Sequence, residues 1–190
     1  MPESKIQNPK SKIGRIDVAI IIGSDSDLPI LARAVKVLEE FGVAHEVQIL
    51  SAHRTPKELD EYLQALGKRR CQVIIAAAGM AAHLAGKIAS AVTLPVIAVP
   101  IESGGLGGLD ALLSTVQMPG GIPVLTVSIG KAGATNAALA AVEILALGRP
   151  ALARRLAALR RRMAREVVKK NDELQRRGVD EYVRAKNAHG

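Results

Sequence analysis

The stretch that most constrains this chain is Ile16 to Asp27, where an apolar run stops abruptly at Gly23-Ser24-Asp25-Ser26-Asp27. Val18 to Ile22 is short, β-branched and apolar on both faces, which suits a strand covered on both sides, as in a parallel sheet. Ser26 and Asp27 are good N-cap residues and Pro29 suits a first helical turn, so a helix is predicted from Leu28 to Phe41. Its free N–H groups face the polar turn. Ligands of open α/β sheets sit beyond the carboxyl ends of the strands, and a helix N-terminus favours phosphate, which places a candidate anion site at this turn.

The same pattern then repeats. Gly42 is a natural C-cap, and Ala44 to Leu50 reads as a second strand ending in Ser51-Ala52-His53-Arg54-Thr55-Pro56. Thr55 with Glu58 has the spacing of a capping box, with Pro56 at the first position of a helix to about Leu66. Val73 to Ala78 is a third strand, followed by the small-residue turn Gly79 to Gly86 and a helix to Ala91. Pro95 to Pro100 is a fourth strand, with a Gly-rich loop and a helix from Leu109. Val124 to Ile129 is a fifth, with an Ala-rich helix from Gly133 to Leu147.

Five alternations of strand and helix predict an α/β fold: one parallel sheet in a three-layer α/β/α domain. The expected organisation is a mobile leader over residues 1–15, a catalytic domain over 16–148, a basic amphipathic helix over 149–178 and a tail over 179–190. With 190 residues, 48% of them hydrophobic and only Phe41, Tyr62 and Tyr182 aromatic, the core is aliphatic and a base-stacking surface for nucleic acid is not expected. The net charge of +8 resides in the last segment. Residues 1–148 hold 13 basic and 13 acidic side chains, against 13 and 5 in 149–190. A neutral body with one basic helix argues against specific nucleic-acid binding. Leu152, Leu156, Leu159, Met163, Val167 and Leu174 recur at helical spacing, so this helix is expected on the body or on a neighbouring subunit rather than on a membrane. The single Cys71 excludes an internal disulfide, and with no membrane-crossing run or signal-peptide pattern a soluble, cytoplasmic protein is expected.

Candidate chemistry gathers at three successive strand ends. Asp27 suits both a helix cap and an acceptor for ribose hydroxyls, while Ser24, Ser26 and the helix N–H groups suit a phosphate. His53 titrates near neutrality when unperturbed and sits in a strand-end loop, a placement for proton transfer. Arg54 offers a planar fork for phosphate or carboxylate. His83 follows small residues in the third loop and is a candidate lining residue. His45 and His189 receive no role. The histidines and the cysteine lack close metal-ligand spacing, so no metal site is expected. Ser103 to Gly108 lacks the dinucleotide fingerprint and Gly130 to Gly133 the Walker spacing, which supports neither a nicotinamide cofactor nor ATP. The first of these loops reads as a flexible flap or subunit contact.

Taken together, Gly23 to Asp27, Ser51 to Pro56, Ala81 to Leu84, Pro95 to Pro100 and Val116 to Pro123 resemble, in order and spacing, the N5-carboxyaminoimidazole ribonucleotide mutases (the catalytic subunit of phosphoribosylaminoimidazole carboxylase). The resemblance spans about Ile16 to Leu147. It implies a flavodoxin-like fold and a reversible shift of a carboxylate from N5 to C4 of an aminoimidazole ribonucleotide in purine biosynthesis, with no metal, ATP or redox cofactor. It further implies that Ser24, Asp27 and Arg54 bind the ribonucleotide, that Ser51, Gly79 and His83 line the pocket, and that His53 is the general acid and base. A homo-octamer is also implied, in which the helix Ala151 to Arg177 can swap onto a neighbour. Ala85, Lys87 and Ala111 depart from the residues common in the family. Two alternatives stand beside this reading: a carboxylase using free carbon dioxide on the same ring, and a noncatalytic nucleotide-binding module.

Overall fold

A computed structural model describes residues 14–187; residues 1–13 of the expected leader, and His189, lie outside them. The chain divides into two compact units, Met1–Leu145 and Ala146–Gly190. The first is built on a five-stranded parallel sheet of strands β1 (Val18–Ile22), β2 (His45–Ile49), β3 (Val73–Gly79), β4 (Val96–Ile101) and β5 (Leu125–Thr126), in the order β2-β1-β3-β4-β5. The alternation anticipated the parallel sheet, and this is the flavodoxin-like order that the family resemblance implied. The crossovers are helices α1 (Leu28–Glu40), α2 (Pro56–Lys68), α3 (Leu84–Ala91) and α4 (Leu109–Val116), and α5 (Gly130–Ala146) follows the last strand.

Every residue of β1 is buried, as a central strand covered on two faces requires. On one face Ala19, Ile21, Ile74, Ala76, Val96 and Ala98 pack with Leu59, Leu63 and Leu66 of α2 and Leu84, Ala85 and Ile88 of α3 in one cluster. Ile20, Ile22, Ile75 and Ile97 alternate with these and point to the opposite face. β2 lies at an edge. There Arg69 clasps Glu46 with both guanidinium nitrogens, Nη2 to Oε2 at 2.7 Å, and the Tyr62 hydroxyl donates to the same carboxylate. Burial alone would raise the Glu46 carboxyl, but the hydrogen bonds from Arg69 and Tyr62 outweigh it and hold it below the usual range.

Three local expectations are corrected. β5 pairs through Leu125 and Thr126 only, not from Val124 to Ile129, because after Val127 donates to Ala98 the chain turns into α5. The helix begins at Gly130, and Gly133 sits so tightly on the chain behind it that a Cβ there would lie 1.7 Å from the Ser128 oxygen. The Thr55 capping box does not form, since the Thr55 hydroxyl closes the preceding loop on Ser51 instead. Asp27 makes no side-chain cap bond to α1, because its backbone is already helical as the last residue of a 3-10 turn over Asp25–Asp27; Ser24 caps that turn.

The second unit holds α6 (Pro150–Arg177) and α7 (Val179–Asn187). The segment read as a tail from residue 179 is therefore helical up to Asn187. Gly178, at φ +75°, breaks the two helices apart, and α7 carries Asp180 and Glu181 in its first turn and Arg184 and Lys186 in its last, the arrangement a helix dipole favours. Among the described residues no helix is long and apolar enough to cross a membrane.

Candidate functional site

β2 lies on one side of β1 and β3 on the other, so the chain reverses its direction of travel across the sheet at β1, and the carboxyl ends of these strands are where ligands of such sheets sit. The loops after β1, β2 and β3 meet there. In the first, Ser24 Oγ accepts from the Ser26 backbone N–H at 3.4 Å, and Ser26 Oγ lies 2.9 Å from Ser24 Oγ and 3.3 Å from Asp27 Oδ1. Asp27 is buried, and desolvation raises its carboxyl above the usual range against the opposing hydrogen bond from Ser26. A carboxylate sequestered without a cation is costly for folding alone.

The second loop is shaped by Ser51, whose Oγ accepts from the backbone N–H groups of His53 at 3.3 Å and Arg54 at 3.2 Å. Thr55 Oγ1 accepts from the Ser51 N–H at 2.8 Å and locks the loop from behind. Its two exposed side chains then bond two different loops. Arg54 Nη2 donates to the Gly23 carbonyl at 2.7 Å, tying the second loop to the first. His53 Nε2 lies 2.9 Å from His83 Nδ1, with the rings edge to face and centroids 5.1 Å apart, tying the second loop to the third. One of those nitrogens carries the shared hydrogen, and the remaining ring nitrogen of His53 has no hydrogen-bond partner among the described residues.

The third loop is set by two unusual backbone positions. Met80 adopts φ +54°, a left-handed conformation that costs a non-glycine residue about 1–2 kcal/mol. Gly79 lies against the loop after β4, where a Cβ would meet Ser103 Oγ at 2.0 Å. Ser103 is the neighbour that inspection of the sequence missed. Its only sequence signal is the absence of a side chain at Gly79. Ser103 Oγ itself is buried without a hydrogen-bond partner.

Ser24, Asp27, Ser51, His53, Arg54, Gly79 and His83 therefore stand at the carboxyl ends of three neighbouring strands, Gly79 as the last residue of β3 and the others in the segments that follow. His45 starts β2 at its amino end, bonded to the Val43 carbonyl at 2.8 Å. No group of three or more His, Cys, Asp or Glu is placed to hold a metal ion among the described residues. A concavity of about 430 Å3 lies between the C-terminal ends of α2 and α3, lined by Leu63, Gln64, Gly67, Ser90, Val92 and Thr93 among others. It offers no titratable side chain, unlike the loops at the strand ends.

The profile of a family described as AIR carboxylase matches residues 17–166, a span that takes in all three loops. The chain belongs to this family. A curated relative from Thermotoga maritima, N5-carboxyaminoimidazole ribonucleotide mutase, is 49% identical over 169 residues, 89% of this chain and 98% of its own length. A chloroplastic phosphoribosylaminoimidazole carboxylase from Vigna aconitifolia is 43% identical over 182 residues, 96% of this chain but 32% of that longer protein. A crystal structure of Treponema denticola PurE superposes with a TM-score of 0.77 at 28% identity, covering 84% of this chain and 99% of that one.

Proposed function

We propose that this chain is an enzyme of purine biosynthesis that moves a carboxylate from N5 to C4 of an aminoimidazole ribonucleotide. The observation that carries the reading is the paired His53 and His83 at the switch point of the sheet, beside Arg54 and Asp27, in a chain about half identical to curated mutases over nearly its whole length.

Ser24, Arg54 and the N–H groups at the start of α1 take the phosphate, a fork and a helix terminus being the donors that a phosphate dianion favours. Asp27 accepts from the ribose hydroxyls. Ser51 and Gly79 shape the wall, and His83 holds one nitrogen of His53. Cleavage of the N5–carboxyl bond leaves its electron pair on N5, and His53 supplies the proton that N5 gains. C4 then attacks the carbon dioxide released, forming the new carbon–carbon bond, and His53 removes the C4 proton. One proton is given and one recovered, so the imidazole ends as it began. Carbon dioxide offers little binding energy, and the rate advantage is positional: anchoring phosphate and ribose holds C4 beside a gas that must not escape.

Containment also bears on assembly. His53, Arg54 and His83 are exposed in the single chain, as are Leu109, Leu113 and Val116 along α4 and Met163, Val167 and Val168 along α6. A homo-oligomer, an octamer in the proposed form, covers such surfaces and closes the pocket. The carboxylase named for the Vigna relative motivates a second reading, in which free carbon dioxide is the donor to the same ring. Assaying both carboxyl donors with the wild type and with His53→Asn separates the readings. Turnover of the N5-carboxylated nucleotide, lost in His53→Asn with nucleotide affinity retained, is the expected result. Turnover with free carbon dioxide alone contradicts the mutase, and full activity in His53→Asn contradicts the proton-transfer role.

A further inference from the structure

α2 and α3 start where the loops carrying His53 and His83 end, so the separation of the two imidazoles follows the registration of these helices. Their apolar faces share one core against the sheet, a contact that is non-directional and fixes the spacing of the helices better than their axial slide. Directionality comes from an ion pair between them. Lys87 Nζ lies 3.0 Å from Asp60 Oδ1 and 3.4 Å from Oδ2. Lys87 stands one helical turn beyond His83, and its backbone N–H donates to the His83 carbonyl at 2.9 Å. Asp60 stands one turn beyond Pro56, at the foot of the His53 loop. We propose that Lys87 and Asp60 are a positioning pair, which locks α2 against α3 and thereby holds His53 Nε2 within hydrogen-bonding distance of His83 Nδ1.

The pair rests on the mutase reading for its catalytic consequence, though not for its geometry. Both side chains are partly exposed, 38% and 44%, and a pair in such a setting contributes little to global stability. Its value is directional: a hydrogen bond at 2.9 Å weakens steeply when its partners slip by a fraction of an ångström or tilt. Neither residue touches substrate in this account; each acts through the loop ahead of its helix.

The test uses the full chain with Lys87→Met, Asp60→Asn and the double variant, read by turnover, by chemical denaturation and by imidazole 15N NMR of His53 and His83. Each single variant is expected to lose about threefold to tenfold in kcat with little change in KM. The denaturation midpoint stays put, and the ring-nitrogen signals of His53 and His83 move. The double variant is expected to be no worse than either single, the mark of two residues in one contact. Wild-type kcat and unmoved ring signals in both single variants overturn the proposal, as do losses that multiply in the double. Because the NMR readout needs no turnover, a wild-type protein inactive as a mutase defeats the functional reading while leaving the pairing testable.

Discussion

Gly79→Ala tests the tightest contact behind the site. A Cβ at this position would lie 2.0 Å from Ser103 Oγ, 3.0 Å from Ser103 Cβ and 3.1 Å from the Ile101 oxygen. Rotating the Ser103 hydroxyl away relieves the first clash but leaves the other two, both short of the roughly 3.5–4.0 Å at which carbon contacts become attractive. The loop after β4 and the end of β3 must therefore part by about half an ångström, the kind of overpacking that costs about 1–3 kcal/mol. The displaced residue opens the turn that carries His83. Since a misplacement of about 1 Å can cost about a hundredfold in rate, half of that predicts a loss of about tenfold in kcat. Urea denaturation and steady-state assays read the two effects. Adding Ser103→Gly removes both serine atoms and is expected to restore part of each. Wild-type midpoint and kcat in Gly79→Ala, or a double variant no better than the single, would refute the reasoning.

The remaining predictions follow from charge and backbone. Asp27→Asn is expected to stabilise the ligand-free protein at neutral pH while weakening nucleotide binding. The sign follows from the raised carboxyl of Asp27: the protonated form is the better buried one, so the stability it contributes is complete in acid and lost as pH rises through the raised value. The gain over wild type therefore shrinks as pH falls, which denaturation across pH measures. Glu46→Gln has the opposite sign. The lowered Glu46 carboxyl contributes stability above the ordinary glutamate range that disappears as pH falls through its folded value, so the variant is less stable at neutral pH, by about 1–3 kcal/mol, and converges on wild type in acid. Arg54→Ala is expected to weaken nucleotide affinity by about tenfold to a hundredfold in titration calorimetry, the worth of one charge-assisted contact; unchanged affinity counts against a phosphate role. Arg70 follows the C-cap of α2 with φ +60°, so Arg70→Gly is expected to raise stability by about 0.5 kcal/mol, the relief of a left-handed residue less the entropy of glycine. A lowered denaturation midpoint would contradict it.

The architecture was legible wherever local signals were redundant. Val18 to Ile22 announces a doubly covered strand through composition, and the repetition of strand, polar turn and helix points to one parallel sheet between helices, as observed. The three loops were legible for the same reason, each joining strand-end polarity to a helix start. What the sequence hid was decided partly by competing local bonds and partly by contacts distant along the chain. Thr55 and Asp27 have the right identities for caps, yet the hydroxyl of Thr55 is taken by the backbone of Ser51 four residues back, and a prior 3-10 turn takes the backbone of Asp27. The length of β5 was not legible because the aliphatic residues Val124, Leu125, Val127 and Ile129 read as strand whether or not they pair, and that length is decided by where α5 returns to the sheet. The 2.9 Å approach of His53 to His83 spans thirty positions and follows from the registration of two loops, which no local pattern encodes.

The central claim is that the carboxyl group leaving N5 is the one that arrives at C4, held in place while His53 handles the proton. Its most direct measurement follows a 13C label in the N5 carboxylate through turnover in unlabelled bicarbonate. The account predicts product carrying the label at the C4 carboxylate. Product carrying unlabelled carboxylate drawn from solution would contradict it.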